Sequence, residues 1–145
     1  MNPLQLHLLM VHLPVLGCPA ACGLLLAARL ARSEILFKTA CVFLLIAMIG
    51  GGVAFFSGPA AYEGLTVDAP TRELIEEHAA LGKGAFMGLV LLGLAALLAL
   101  MQYPQGERPA PWLRWVLLAA SLLMALLLAW TAHEGGLAGH PALRG

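Results

Sequence analysis

The side chains in this sequence best suited to chemistry are its five histidines, His7, His12, His78, His133 and His140. Neutral imidazole is the commonest metal ligand and titrates near neutral pH. Four of the five lie in or at the ends of long apolar stretches, where an ionisable group is costly and marks a functional site by default. Axial ligation of haem iron, which takes one or two imidazoles, is the chemistry such a set points to first.

The elements that position them belong to a membrane protein. Of 145 residues, 61 % are hydrophobic and 11 % charged, with a formal net charge of +0, too apolar for a soluble domain. No basic face is available for a nucleic acid partner. A hydrocarbon core of about 30 Å needs roughly 20 apolar residues per helix. Four stretches meet that need, at residues 3–29, 36–58, 78–101 and 112–132. The expected fold is all-α, one domain over residues 1–145, an integral membrane four-helix bundle of up-down-up-down topology. The connections are two short basic turns, Arg29 to Lys38 and Gln102 to Trp112, and a longer acidic segment from Pro59 to Glu77. Lys and Arg mark the cytoplasmic side. Arg29, Arg32, Lys38, Arg108 and Arg114 therefore place the two turns inside. Glu63, Asp68, Glu73, Glu76, Glu77 and Glu134, balanced only by Arg72, Lys83 and Arg144, place the long segment and both termini outside. The expected location is a bacterial inner membrane, multi-pass, with every histidine toward the periplasm.

Asn2 is a good N-cap and Pro3 fits the first helical turn. Pro14 and Pro19 each remove a helical donor, so a kink is expected just below the first histidines. Val15-Leu16-Gly17-Cys18 resembles a lipoprotein cleavage box, but the first basic residue is Arg29, and a secretory signal needs positive charge near its start. Cys18, Cys22 and Cys41 lack zinc-ribbon spacing and no Cys-x-x-Cys-His occurs. Covalent c-type attachment is thus excluded, and the cysteines are expected to be small apolar fillers.

His12 lies roughly 13 Å below the helix start, and His7 is about 7.5 Å nearer the surface and rotated by roughly 140° from it, so the two are expected to have different roles. His78 opens the third span and His133 follows Trp130 at the end of the fourth. Helices 1, 3 and 4 thus each bring an imidazole to one outer layer, the kind of bundle core that holds a cofactor. Gly50, Gly51, Gly52, Gly58, Gly82, Gly84 and Gly88 offer clearance for a flat macrocycle, although Gly84 and Gly88 also read as an ordinary small-residue contact. Lys83 is expected to snorkel to the surface. Met48 and Met87 are fallback ligands.

His7-Leu8-Leu9-Met10-Val11-His12-Leu13-Pro14 resembles the opening motif of the small bacterial four-helix membrane proteins grouped as domain of unknown function 2231. In that motif a Pro usually follows the first His, where this chain has Leu8. Similarity extends to Ser57-Gly58-Pro59-Ala60, His78-Ala79-Ala80-Leu81-Gly82 and Ala132-His133-Glu134-Gly135-Gly136. The resemblance implies a membrane domain that binds b-type haem beside cytochrome c modules or other redox partners.

The function expected from the sequence is a membrane b-type cytochrome relaying electrons at the periplasmic side, a subunit more than a self-sufficient enzyme. It would carry haem b, one or two, with iron held by His12 and His78 as first choice and His7 with His133 as the alternative or second pair. Expected partners are the lipid bilayer, a redox protein such as a c-type cytochrome, a quinone near Glu76 or Glu77, and further subunits of an oligomer or larger complex. The rival readings are a histidine-based metal or proton transport protein and a non-catalytic assembly subunit.

Overall fold

The computed structural model describes residues 1–63 and 66–140; Arg144, counted above on the outer side, lies outside them. Regular structure among the described residues is entirely helical. It comprises α1 (Pro3–Met10), α2 (His12–Leu30), α3 (Glu34–Glu63), α4 (Ala69–Met101), a 3-10 turn at Tyr103–Gln105, and α5 (Pro111–Gly139). Four helical stretches, Pro3–Leu30, Glu34–Glu63, Ala69–Gln105 and Pro111–Gly139, are long and apolar enough to cross a membrane.

The first span starts as its sequence predicts. Asn2 accepts from the Gln5 backbone at 2.8 Å and the Gln5 side chain accepts from the Asn2 backbone at 3.2 Å, a capping box that satisfies two of the orphan donors of a helix start. The span is interrupted at Val11, whose φ of −61° and ψ of −25° remain helical. Pro14 has no N–H to give the carbonyl of Met10, and the carbonyl of Leu8 lies 2.6 Å from the Nδ1 of His12. Pro19 lies within the uninterrupted α2.

The segment from Pro59 to Glu77, expected as a loop, is mostly helix. α3 runs through Pro59 to Glu63, and α4 begins at Ala69 behind Asp68, whose carboxylate caps the backbone N–H of Thr71 at 3.1 Å. Its acidic composition has another origin than a loop. Glu73, Glu76 and Glu77 are the exposed face of a helix whose Thr71 is buried and whose Leu74, Ile75 and His78 are half-buried.

α2 packs on α3, α3 on α4, α4 on α5, and α5 on α2, while α1 lies against α3. Buried positions alternate in steps of three and four, the spacing of knobs-into-holes packing. They repeat between the two halves. Pro14, Cys18, Ala21, Leu25 and Ala28 of α2 are buried, and so are Ala85, Leu89, Leu92, Ala96 and Ala99 of α4, each 71 residues on. Ala40, Leu44, Ala47, Gly51 and Ala54 of α3 have the same relation, 77 residues on, to Leu117, Ser121, Met124, Leu128 and Thr131 of α5. The two halves of the chain thus repeat one burial register, with six more residues in the second connection.

Most core residues are small and the large apolar ones face outward: Leu16, Ile49, Leu91 and Leu123 are 62–67 % exposed. Such an exterior belongs in a bilayer, where close approach of helices through small residues replaces hydrophobic burial as the source of packing. Opposite the histidine end, Glu34 at the start of α3 accepts from Arg114 at 2.6 Å and from the hydroxyl of Tyr103, tying the second turn to the first.

Candidate functional site

The structure brings together His7 of α1 and His78 of α4, with ring centres 6.3 Å apart and ring planes at 80°. Both rings are half-buried. Nδ1 of His7 is 2.8 Å from the carbonyl of Ala54 on α3, and Nδ1 of His78 is 2.9 Å from the carbonyl of Thr131 on α5. A carbonyl only accepts, so each Nδ1 carries the proton and the neutral ring presents a bare lone pair at Nε2. That is the tautomer of a metal-ligating histidine whose second nitrogen is fixed by a backbone partner.

In each half the carbonyl is approachable because the residue one helical turn later is glycine. A Cβ at Gly58 would lie 3.5 Å from Cε1 of His7, and one at Gly135 would lie 2.9 Å from Cε1 and 3.1 Å from Nδ1 of His78. Ser57 and Thr131 spend their own hydroxyls on helix carbonyls, Ser57 on Ala54 at 3.1 Å and Thr131 on Leu127 at 2.8 Å. Neither hydroxyl is left to donate to an imidazole. Beside the pair on the α3–α4 side, Phe55 stacks on Phe86 at 4.5 Å between ring centres and Phe56 meets Phe86 edge-on at 5.7 Å.

The pairings expected from the sequence, His12 with His78 and His7 with His133, are not the ones the fold assembles. His12 is exposed and its Nδ1 lies 2.6 Å from the carbonyl of Leu8 on its own helix. His133 and His140 are exposed as well. Since His7 points at α3, the rotation between His7 and His12 turns the latter outward. Lys83 is exposed too, and it stands 71 residues after His12, at the equivalent outward position.

Three of the seven glycines expected to leave room for a macrocycle serve helix packing instead. Cβ atoms at Gly50, Gly51 and Gly88 would each come within 2.5 Å of Leu13, Leu89 and Met124 respectively, while Gly82 and Gly84 face open space. Of the two fallback ligands, Met48 fills the hollow at Gly93 and Met87 is 58 % exposed. No family model, curated protein or solved structure matches this chain. Its two halves nevertheless compare with each other. Of the five histidines only His7 and His78 are related by the 71-residue step, and their carbonyl partners Ala54 and Thr131, like Gly58 and Gly135, are related by the 77-residue step. The site is one structural device used twice and facing itself.

Proposed function

We propose that this chain is a multi-pass b-type cytochrome, an electron-transfer protein whose haem iron is held between His7 and His78. The observation that carries the reading is the pair itself: two imidazoles on different helices, each fixed through Nδ1 to a backbone carbonyl, with Nε2 free in both. The two ring centres are 6.3 Å apart, and His7 and His78 are the residues that would hold the iron of a haem. No group of three or more His, Cys, Asp or Glu able to hold a metal ion occurs among the described residues. A two-imidazole donor set suits a metal that brings its own equatorial ligands, which favours haem over a transported bare cation.

Haem, when bound, supplies one-electron transfer. The chain's residues set its conditions. The carbonyls of Ala54 and Thr131 draw on the Nδ1 protons, make both rings stronger donors and hold their planes, which favours the oxidised metal. The sequence supplies the rest of the proposal: a single up-down-up-down bundle related to the domain of unknown function 2231 proteins, termini and histidine pair toward the periplasm of a bacterial inner membrane, with a c-type cytochrome or a quinone as exchange partner.

The test is a reduced-minus-oxidised optical spectrum of detergent-purified protein from cells supplied with ample haem. A b-type band is expected, and a colourless preparation sinks the proposal. Gly135→Ala gives a finer test. Its methyl group must push the His78 ring off the Thr131 carbonyl, so haem affinity should fall about 10- to 100-fold, the range for loss of an outer-shell partner, while helix content stays unchanged. Affinity equal to that of the unsubstituted protein would show that the carbonyl contact has no part in binding.

A further inference from the structure

At the opposite end of the bundle four arginines, Arg29, Arg32, Arg108 and Arg114, line one cavity of about 250 Å³ with Glu34 as the single carboxylate in its wall. Two guanidiniums are held in place. Arg29 stacks on the Trp115 ring at 3.9 Å, and Arg114 bonds Glu34 at 2.6 Å and lies 4.4 Å over Phe37. The one ion pair among the described residues is that of Arg114 with Glu34, so Arg32 and Arg108 line the cavity with no carboxylate bonded to them. Scattered basic residues would satisfy the orientation rule for membrane loops; convergence of four on one hollow from three segments goes beyond it.

Arg32 also occupies a backbone position that argues for its side chain. Ser33 N–H bonds the carbonyl of Ala28 at 2.9 Å and Arg32 N–H that of Arg29 at 3.4 Å, closing α2 with a Schellman turn, which places the intervening residue in the left-handed region. Arg32 has φ 50°, the one positive φ outside glycine among the described residues. Glycine is the usual occupant, and the guanidinium is kept there against that preference.

We infer that this cavity binds the phosphate of an anionic phospholipid headgroup. Phosphate is the anion whose geometry suits several guanidinium forks, and basic pockets at membrane helix ends are lipid headgroup sites. The lipid source follows from the walls. Leu25, Phe37 and Leu118 line the same cavity, and Leu26, Leu30 and Trp112 are at least half exposed on the adjoining outer surface, giving acyl chains a surface that free phosphate could not use.

The experiment is native mass spectrometry of the full chain, released from detergent, with phosphatidylglycerol or phosphatidylcholine of matched chains, and separately with inorganic phosphate. Phosphatidylglycerol should be retained preferentially. That preference should drop about fivefold in Arg32→Gly and about fivefold in Arg108→Gln, the worth of one guanidinium at a membrane surface, and be unchanged in Arg72→Gln at the other end of the bundle. Arg32→Gly suits its own backbone position, so the protein should melt no lower than the original and a loss of lipid cannot be a loss of fold. Equal retention of both lipids, or an equal drop in Arg72→Gln, would overturn the inference by reducing it to diffuse charge. Saturable binding of inorganic phosphate that displaces the lipid and disappears in Arg32→Gly would overturn the lipid assignment in favour of a free-anion site. None of these readouts depends on whether haem is bound.

Discussion

His7→Ala and His78→Ala should each leave the purified protein without its b-type absorption band, whereas His12→Ala and His133→Ala should keep it at full intensity. An axial imidazole supplies the bond to iron, and its removal should cost more than the roughly 10- to 100-fold that follows from loss of an outer-shell partner. Neither substitution should unfold the bundle. The Nδ1 bond that His78→Ala removes is worth about 1 kcal/mol net, and the packed small-residue seams of α2 to α5 lie below it. Far-ultraviolet circular dichroism and size exclusion separate loss of haem from loss of fold. Retention of the band in either His7→Ala or His78→Ala would reject the pairing, and its disappearance in both His12→Ala and His78→Ala with retention in His7→Ala would restore the one first expected from the sequence.

The sequence made the layer of histidines visible but not their directions. Hydropathy located all four spans to within a few residues at most ends, because twenty apolar residues in a row have few other uses. The exceptions were the end of the fourth span, expected at 132 where the helix runs to Gly139, and Pro59 to Glu77, where polar residues on the outer turns of two helices, Glu63, Glu73 and Glu76 among them, had the composition of a loop. For the histidines, depth along the axis could be counted from Pro3, while direction depends on which face of the first span meets α3. That face is set by Leu13 entering the hollow at Gly50 and by Gly17 against Ala47, contacts between segments more than 25 residues apart. One sequence signal did carry it. His7 precedes Gly17 by ten residues, His78 precedes Gly88 by the same ten, and Gly58 and Gly135 stand 77 residues apart. Of the five histidines, that repeat distinguishes only His7 and His78. The carbonyls that fix the rings had no such signature, since a backbone acceptor leaves no mark on residue type.

Gly50→Ala should destabilise the bundle more than any other single methyl group added at its glycines, by about 1 to 3 kcal/mol, the usual cost of overpacking a fitted core. The new Cβ would stand 2.5 Å from the Cβ of Leu13, an atom that cannot move without the α2 backbone. Gly88→Ala has an equally short approach, 2.5 Å, but to the Sδ of Met124, the far end of a flexible side chain that can rotate away. There the clash should be offset by the gain from replacing glycine within a helix, about 0.5 to 1 kcal/mol, giving little net change. Gly84→Ala meets nothing within 4 Å and should show the gain alone. Thermal unfolding of the three variants in one detergent, followed by circular dichroism, should therefore rank Gly84→Ala above the original, Gly88→Ala near it and Gly50→Ala well below. Haem retention should follow the same series, because Leu13 and His7 belong to one span, Pro3–Leu30. If α2 shifts to admit a methyl group at Gly50, the His7 ring moves with it, and Gly50→Ala should weaken haem retention where Gly88→Ala does not. Equal melting temperatures for Gly50→Ala and Gly88→Ala would mean that Leu13 does not seat in Gly50, and the inward direction of His7, which follows from that seating, would then have no cause.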